Sequence, residues 1–122
     1  MIPSSAIRSH KDLVVWQKAM DLVDAVYQLT TKFPKTEVYG LSAQMRRGAI
    51  SIASNIAEGK RRGTRKDYRH FLYNSFGSGA ELETQLEIAK RQKYCKPKDY
   101  IRADTLLDEI MKMLNAMIAK LS

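Results

Sequence analysis

Leu41-Ser42-Ala43-Gln44-Met45-Arg46-Arg47-Gly48-Ala49-Ile50-Ser51-Ile52-Ala53-Ser54-Asn55-Ile56-Ala57-Glu58-Gly59 is the stretch whose reading decides the fold. At about 100° per residue, Leu41, Met45, Ala49, Ile52 and Ile56 share one helical face. No charge occurs from Gly48 to Ala57, and Ala43, Ile50, Ala53 and Ala57 lie off the main stripe. A helix that is apolar or small on several sides is usually covered on more than one of them. It is expected to be the most buried helix of a bundle, or one that also touches another subunit.

The same periodicity continues on both sides. A first helix is expected over about 12–32, with Val15, Ala19, Leu22, Val26 and Leu29 inward and Trp16, Val23 and Tyr27 widening that face. Phe33-Pro34 ends it, because the residue before proline is pushed out of the helical region. The second helix takes about 41–59. A third takes about 65–92, opened by Thr64 and Asp67 in the manner of a capping box, with Tyr68, Phe71, Leu72, Ser75, Gly79, Leu82 and Leu86 inward. Pro97 suits the first turn of a fourth helix over about 97–121, whose stripe is Tyr100, Ala103, Leu107, Ile110, Leu114, Met117 and Leu121. Short connections make neighbouring helices antiparallel. The fold class is therefore all-α: an up-down-up-down antiparallel four-helix bundle over 12–122, preceded by an N-terminal extension, 1–11.

Composition agrees with this reading. The chain has 122 residues, enough for one domain with a real core. Six glycines and three prolines favour helices over a turn-rich β-fold. A lone Cys95 excludes an intrachain disulfide and any multi-cysteine metal site. No apolar run is long enough to span a bilayer. Met1 to His10 lacks a basic region followed by an apolar stretch, so a cytoplasmic protein is expected.

Catalysis finds little support. Neither His10 nor His70 has the Glu-x-x-His spacing of bundle metal sites. There is no glycine-rich phosphate loop and no nucleophile elbow. Lys93 and Lys96 beside Cys95 would lower its pKa, but a thiol without a base makes a weak nucleophile. No catalytic residue, metal or cofactor is expected. Gln44, Ser51, Asn55 and Glu58 form one narrow row on the second helix, and Glu81 and Gln85 pair on the third. They are expected to form an interhelical polar network that fixes register. Gly77 and Gly79 sit mid-helix, where each glycine costs up to about 1 kcal/mol relative to alanine. Close approach of another helix would account for them, and a kink is the alternative.

Charge carries the functional argument. The net charge is +8, from 21 Lys+Arg against 13 Asp+Glu, and such an excess attracts polyanions. The densest cluster is Lys60, Arg61, Arg62, Arg65, Lys66 and Arg69, six basic residues among the ten from 60 to 69. Cations at a helix N-terminus oppose its dipole, so Arg65 and Lys66 point towards a bound anion; a solvated charged loop is the alternative. In the antiparallel topology this cluster shares one end with Arg8, Lys11 and Lys120. The opposite end gathers Lys32, Lys35, Lys90, Arg91, Lys93, Lys96, Lys98 and Arg102, and most carboxylates fall on the waist between. No run of exposed aromatics is expected, so any RNA contact would be mainly electrostatic.

Several stretches resemble the bacterial four-helix-bundle family encoded within intervening sequences of 23S rRNA genes. They are 12–19, Phe33-Pro34 with Glu37, Tyr39-Gly40-Leu41 with Gln44, Ser51 to Gly59, and Gly77-Ser78 with 81–86. The resemblance spans about Asp12 to Leu121. Ser54 stands where many members carry proline. The resemblance implies a bundle that assembles into a ring-like homopentamer and has no settled activity. The accessory proteins of diversity-generating retroelements are similar in fold and are thought to bind nucleic acid and a reverse transcriptase. The expected function is a non-enzymatic, homo-oligomeric binding module for RNA or other nucleic acid, with a protein partner possible. The alternative is a protein–protein scaffold or adaptor whose charge serves solubility.

Overall fold

A computed structural model describes residues 9–122, which hold four α-helices and no strand. They are α1 (Val14–Thr31), α2 (Leu41–Arg61), α3 (Arg65–Arg91) and α4 (Ile101–Lys120). Short 3-10 turns at His10–Asp12, Lys35–Glu37 and Pro97–Tyr100 lie between or before them. The helix bounds differ from the periodicity reading at the ends, where local hydrogen bonds decide. Asp12 does not begin α1, because its carboxylate turns back to accept from the Ser9 amide at 3.3 Å and holds a tight turn. Pro97 likewise opens a 3-10 turn, closed by Asp99 accepting from the Lys96 amide at 3.0 Å. Glu37 accepts from the Leu41 amide at 3.3 Å and so caps α2. At Thr64 only half of a capping box forms. Its hydroxyl accepts from the Asp67 amide at 3.1 Å, while the shorter Asp67 side chain makes no return bond to the cap.

The core runs the length of the bundle. Val15, Ala19, Leu22, Val26 and Leu29 of α1 meet Met45, Ala49, Ile52 and Ile56 of α2. Leu72, Leu82, Leu86 and Ala89 of α3 and Ala103, Leu107, Ile110 and Leu114 of α4 complete it. Each large side chain buried here contributes roughly 1.5–3 kcal/mol of transfer free energy. The stripe drifts at the end of α4: Ile118 is buried and Met117 and Leu121 only half-buried. Tyr68 and Phe71, expected inside, are also half-buried, and both lie against Gly59 at the end of α2.

The principal contacts join α2 to α3, α1 to α2, α1 to α4 and α3 to α4. Side chains record how they lie. Lys18 of α1 pairs with Glu109 of α4 at 2.9 Å, and Gln28 accepts from Arg102 at 3.2 Å. Ser75 of α3 donates to the Ile52 carbonyl of α2 at 2.8 Å, fully buried. Lys90, late in α3, pairs with Asp104, early in α4, at 2.7 Å. Among the described residues no helix is long and apolar enough to cross a membrane.

Candidate nucleic-acid interface

Six cations were expected to face one partner from the α2–α3 connection, and the structure divides them. Arg65 donates to the Lys120 carbonyl at 2.8 Å. Arg69 donates to the Ile118 carbonyl at 3.2 Å and to the Tyr73 hydroxyl at 3.3 Å. The last carbonyls of a helix have no partner within it and carry partial negative charge. These two arginines therefore serve the C-terminus of α4, which a reading of α3 alone does not consider. Arg62 pairs with Glu58 at 3.4 Å and lies over the Phe71 ring, 4.9 Å from its centre. Lys60 stands 5.9 Å from the centre of the Tyr68 ring, and burial pushes the Tyr68 hydroxyl pKa upward. Arg61 and Lys66 are exposed, with no protein partner among the described residues. Lys66, Arg69, His70 and Tyr73 line a shallow depression beside them. Arg8 lies outside the described residues.

The opposite end holds its charge differently. Lys32 pairs with Asp99 at 3.0 Å. That bond, followed by the Lys96 amide, holds the Asp99 carboxyl below the usual carboxylate range. Lys35, Arg91, Lys93 and Lys96 carry no side-chain ion pair among the described residues. Tyr39, in the α1–α2 connection, is 97% exposed. Tyr39 and Tyr73 of α3 are exposed singly, in different elements, and make no run of aromatics. Cys95 also departs from expectation. Burial and the Asp99 carboxylate raise its pKa against the lowering effect of Lys32, so the thiol is a poorer nucleophile than its lysine neighbours imply.

The polar row of α2 is only partly a network. Ser51 and Ser78 join hydroxyl to hydroxyl at 2.9 Å, and the Asn55 amide donates to the Ser51 carbonyl at 2.9 Å and hydroxyl at 3.1 Å. Gln44, Glu81 and Gln85 line the neighbouring groove with Arg47 and Gly48, and the Gln85 carbonyl oxygen is enclosed without a partner. Glu58 belongs to Arg62 instead, one turn closer to the end of the helix. Ser78 was missed; it lies one turn before Glu81 on α3, a spacing that could have found it.

The glycines divide as well. A Cβ on Gly79 would overlap the Met111 sulfur of α4, so the close approach is real there. Gly77 faces open space, which corrects the expectation for that position within the chain. α3 nevertheless runs unbroken through both. The less yielding contact is Gly59, where a Cβ would stand 2.8 Å from Phe71 Cβ and 3.2 Å from the Tyr68 carbonyl oxygen. Its place at the end of the second helix disguised it as a terminator. Among the described residues no group of three His, Cys, Asp or Glu side chains is placed to hold a metal ion.

A model of the 23S rRNA-intervening sequence protein family matches residues 11–116. No curated protein matches the chain. Among solved structures, the fold is similar to a crystal structure from Bacteroides thetaiotaomicron, described as a protein of unknown function from the S23 ribosomal protein family. The two share 25% identity with a TM-score of 0.77, over 86% of this chain and 98% of that one.

Proposed function

The chain belongs to the 23S rRNA-intervening sequence protein family, and from that premise we propose that it is a non-enzymatic, homo-oligomeric binding module whose basic ends hold RNA or other nucleic acid in the cytoplasm. The bundle is up-down-up-down and antiparallel. The reading is supported by Lys18 with Glu109, Gln28 with Arg102, and Arg65 with Lys120 against Lys90 with Asp104. The assembly is a ring-like homopentamer. Ile50, 42% exposed in the charge-free middle of α2, supports a second cover on that helix, together with exposed Met20 and Tyr27 of α1.

The observation that carries nucleic-acid binding is the set of cations left without a carboxylate partner among the described residues at both ends: Arg61 and Lys66 at one, Lys35, Arg91, Lys93 and Lys96 at the other. The commitment of Arg62, Arg65 and Arg69 narrows the first cluster and makes the contact one of several ends acting together. A closed oligomer repeats each cluster, and linked weak contacts add as avidity. Phosphates neutralised by these cations release counterions, so log affinity falls linearly with log salt, by about 0.7 per contact on a single strand. The test is fluorescence anisotropy of a labelled single-stranded RNA at stepped salt. A finite slope that flattens in Arg61→Gln/Lys66→Gln and in Lys93→Gln/Lys96→Gln is expected. An absence of binding at about 50–150 mM salt overturns the proposal and favours the adaptor reading.

A further inference from the structure

Charge is sorted along the waist of the bundle as well as at its ends. On α2 no carboxylate occurs from Leu41 to Ala57, and Arg46 and Arg47 stand within that stretch. On α3 the reverse holds. No lysine or arginine occurs from His70 to Ala89, and Glu81, Glu83 and Glu87 are all exposed. None of these five side chains makes an ion pair among the described residues. Arg46 lies over the Tyr27 ring, 4.6 Å from its centre, and donates to the Thr30 hydroxyl at 2.8 Å. Arg47 and Glu81 line the same groove between α2 and α3 without pairing. Carboxylates left without a partner are unexpected in a chain of net charge +8.

Each charged set borders an exposed apolar surface. Beside the arginines stand Met20 and Tyr27 of α1 and Ile50 of α2, all exposed. On α3, Tyr73, Ala80, Thr84 and Ile88 fall on one outward ridge at helical spacing. Tyr73 is 49% and Ile88 43% exposed, and Glu81 and Glu87 flank the ridge on either side. The outward side of α4 differs. Asp108 and Lys112 pair with each other there at 3.0 Å, and the large apolar side chain that α4 exposes is Ile101, at its first position.

We propose that the α3 ridge of one copy docks on the α1–α2 face of the next, so that two different surfaces of each chain join it to its neighbours. The occupant of each surface is a second copy of this chain. The proposal rests on the homo-oligomer inferred above and assigns its contact faces. The ridge lies among Met20, Tyr27 and Ile50 of the next copy, while Glu81 and Glu87 meet Arg46 and Arg47. Charge complementarity selects this occupant. The α3 carboxylates repel a phosphate backbone, and either surface set against its own kind would bring like charges together, which is costly. The arrangement of the helices fits as well. α2 and α4 each contact both α1 and α3, so α2 and α3 are adjacent corners of the bundle. The two surfaces therefore look out at an angle and not back to back. Contacts between unlike surfaces close into a ring where the turn between them permits.

Mixing two defective variants tests this, because unlike surfaces can be disabled one at a time. Ile50→Glu places a carboxylate opposite Glu81 and Glu87, and Ala80→Arg places a guanidinium opposite Arg46 and Arg47. Full-length chains are compared by sedimentation equilibrium at micromolar concentration, with circular dichroism to follow helix content. Each variant alone is expected to lose the mass of the parent and run as a monomer with its helices intact. An equimolar mixture should associate again, with the two chains in equal amounts, because Ile50→Glu keeps its α3 ridge and Ala80→Arg its α1–α2 face. Lys112→Glu on α4 should keep the parent mass. If Ala80→Arg loses helix, Thr84→Arg on the same ridge takes its place. A mixture that stays monomeric, or a single variant that keeps the parent mass, overturns the assignment of these faces and leaves the oligomer standing. A monomeric parent overturns both.

Discussion

Gly59 and Gly77 have the same side chain and opposite surroundings. A methyl group at Gly59 would press on Phe71 Cβ and on backbone, neither of which can swing away. Gly59→Ala is expected to destabilise the bundle by about 1–3 kcal/mol through overpacking. At Gly77, in open space on an exposed helical face, alanine is expected to stabilise by up to about 1 kcal/mol by removing backbone freedom from the unfolded chain. Urea unfolding of the two variants checks both signs. Lys93 offers a third case. Its left-handed backbone costs a side-chain-bearing residue about 1–2 kcal/mol, only partly offset by glycine's added chain entropy of about 0.5–1 kcal/mol. Lys93→Gly should therefore melt higher than the parent. None of this was legible in the sequence, where a glycine shows only that space or freedom is needed. Which helix stands opposite, and at what distance, is a property of the packed bundle. Gly79 could be assigned because it lies on the inward stripe with Leu72, Leu82 and Leu86; Gly77 lies off it.

At the scale of the helices, the four apolar stripes were legible because helix geometry repeats every 3.6 residues and burial of one face leaves that period in the apolar residues. The ends were not, because three or four hydrogen bonds settle each one. The C-terminus of α4 shows how far such a bond can reach along the chain. Arg65 and Arg69 come from the first turns of α3 and serve carbonyls some fifty positions later. Periodicity could not find that pairing, so the arginines read as free cations. Replacing both with glutamine should destabilise the bundle, by about 0.5–1.5 kcal/mol for each lost bond, even where no nucleic acid is present. A thermal melt decides: an unchanged midpoint would mean that these contacts contribute nothing. Tyr100 ties the last connection to pH. Its pKa is pushed from 10.0 up to about 12, first by burial and then by Cys95. A raised pKa in an acid means that the folded state keeps its proton longer than the unfolded chain. Stability from the neutral hydroxyl is full below the unfolded value and is lost as pH rises towards the folded one. The parent should lose stability over that alkaline window more steeply than Tyr100→Phe, and equal slopes would contradict the burial account.

The whole molecule carries +8 on 122 residues, and its carboxylates are partly spent on pairs along the waist and at the far end, such as Lys18 with Glu109 and Lys32 with Asp99. The clustering of basic residues was legible once four helices were assigned, because topology alone decides which connections share an end. Which of those cations remain available was not, since helix C-termini and ring faces compete for them. Assembly rests on α2. Ile50→Glu places a charge on a face that a single chain leaves open, so it should break the oligomer without unfolding the helices. Sedimentation equilibrium at micromolar protein, with and without a short single-stranded RNA, tests the central claim most directly. The account expects a pentamer of this chain, a larger mass when RNA is added at low salt, and return to the protein mass when salt is raised. A monomer that takes up no RNA at any salt would contradict it.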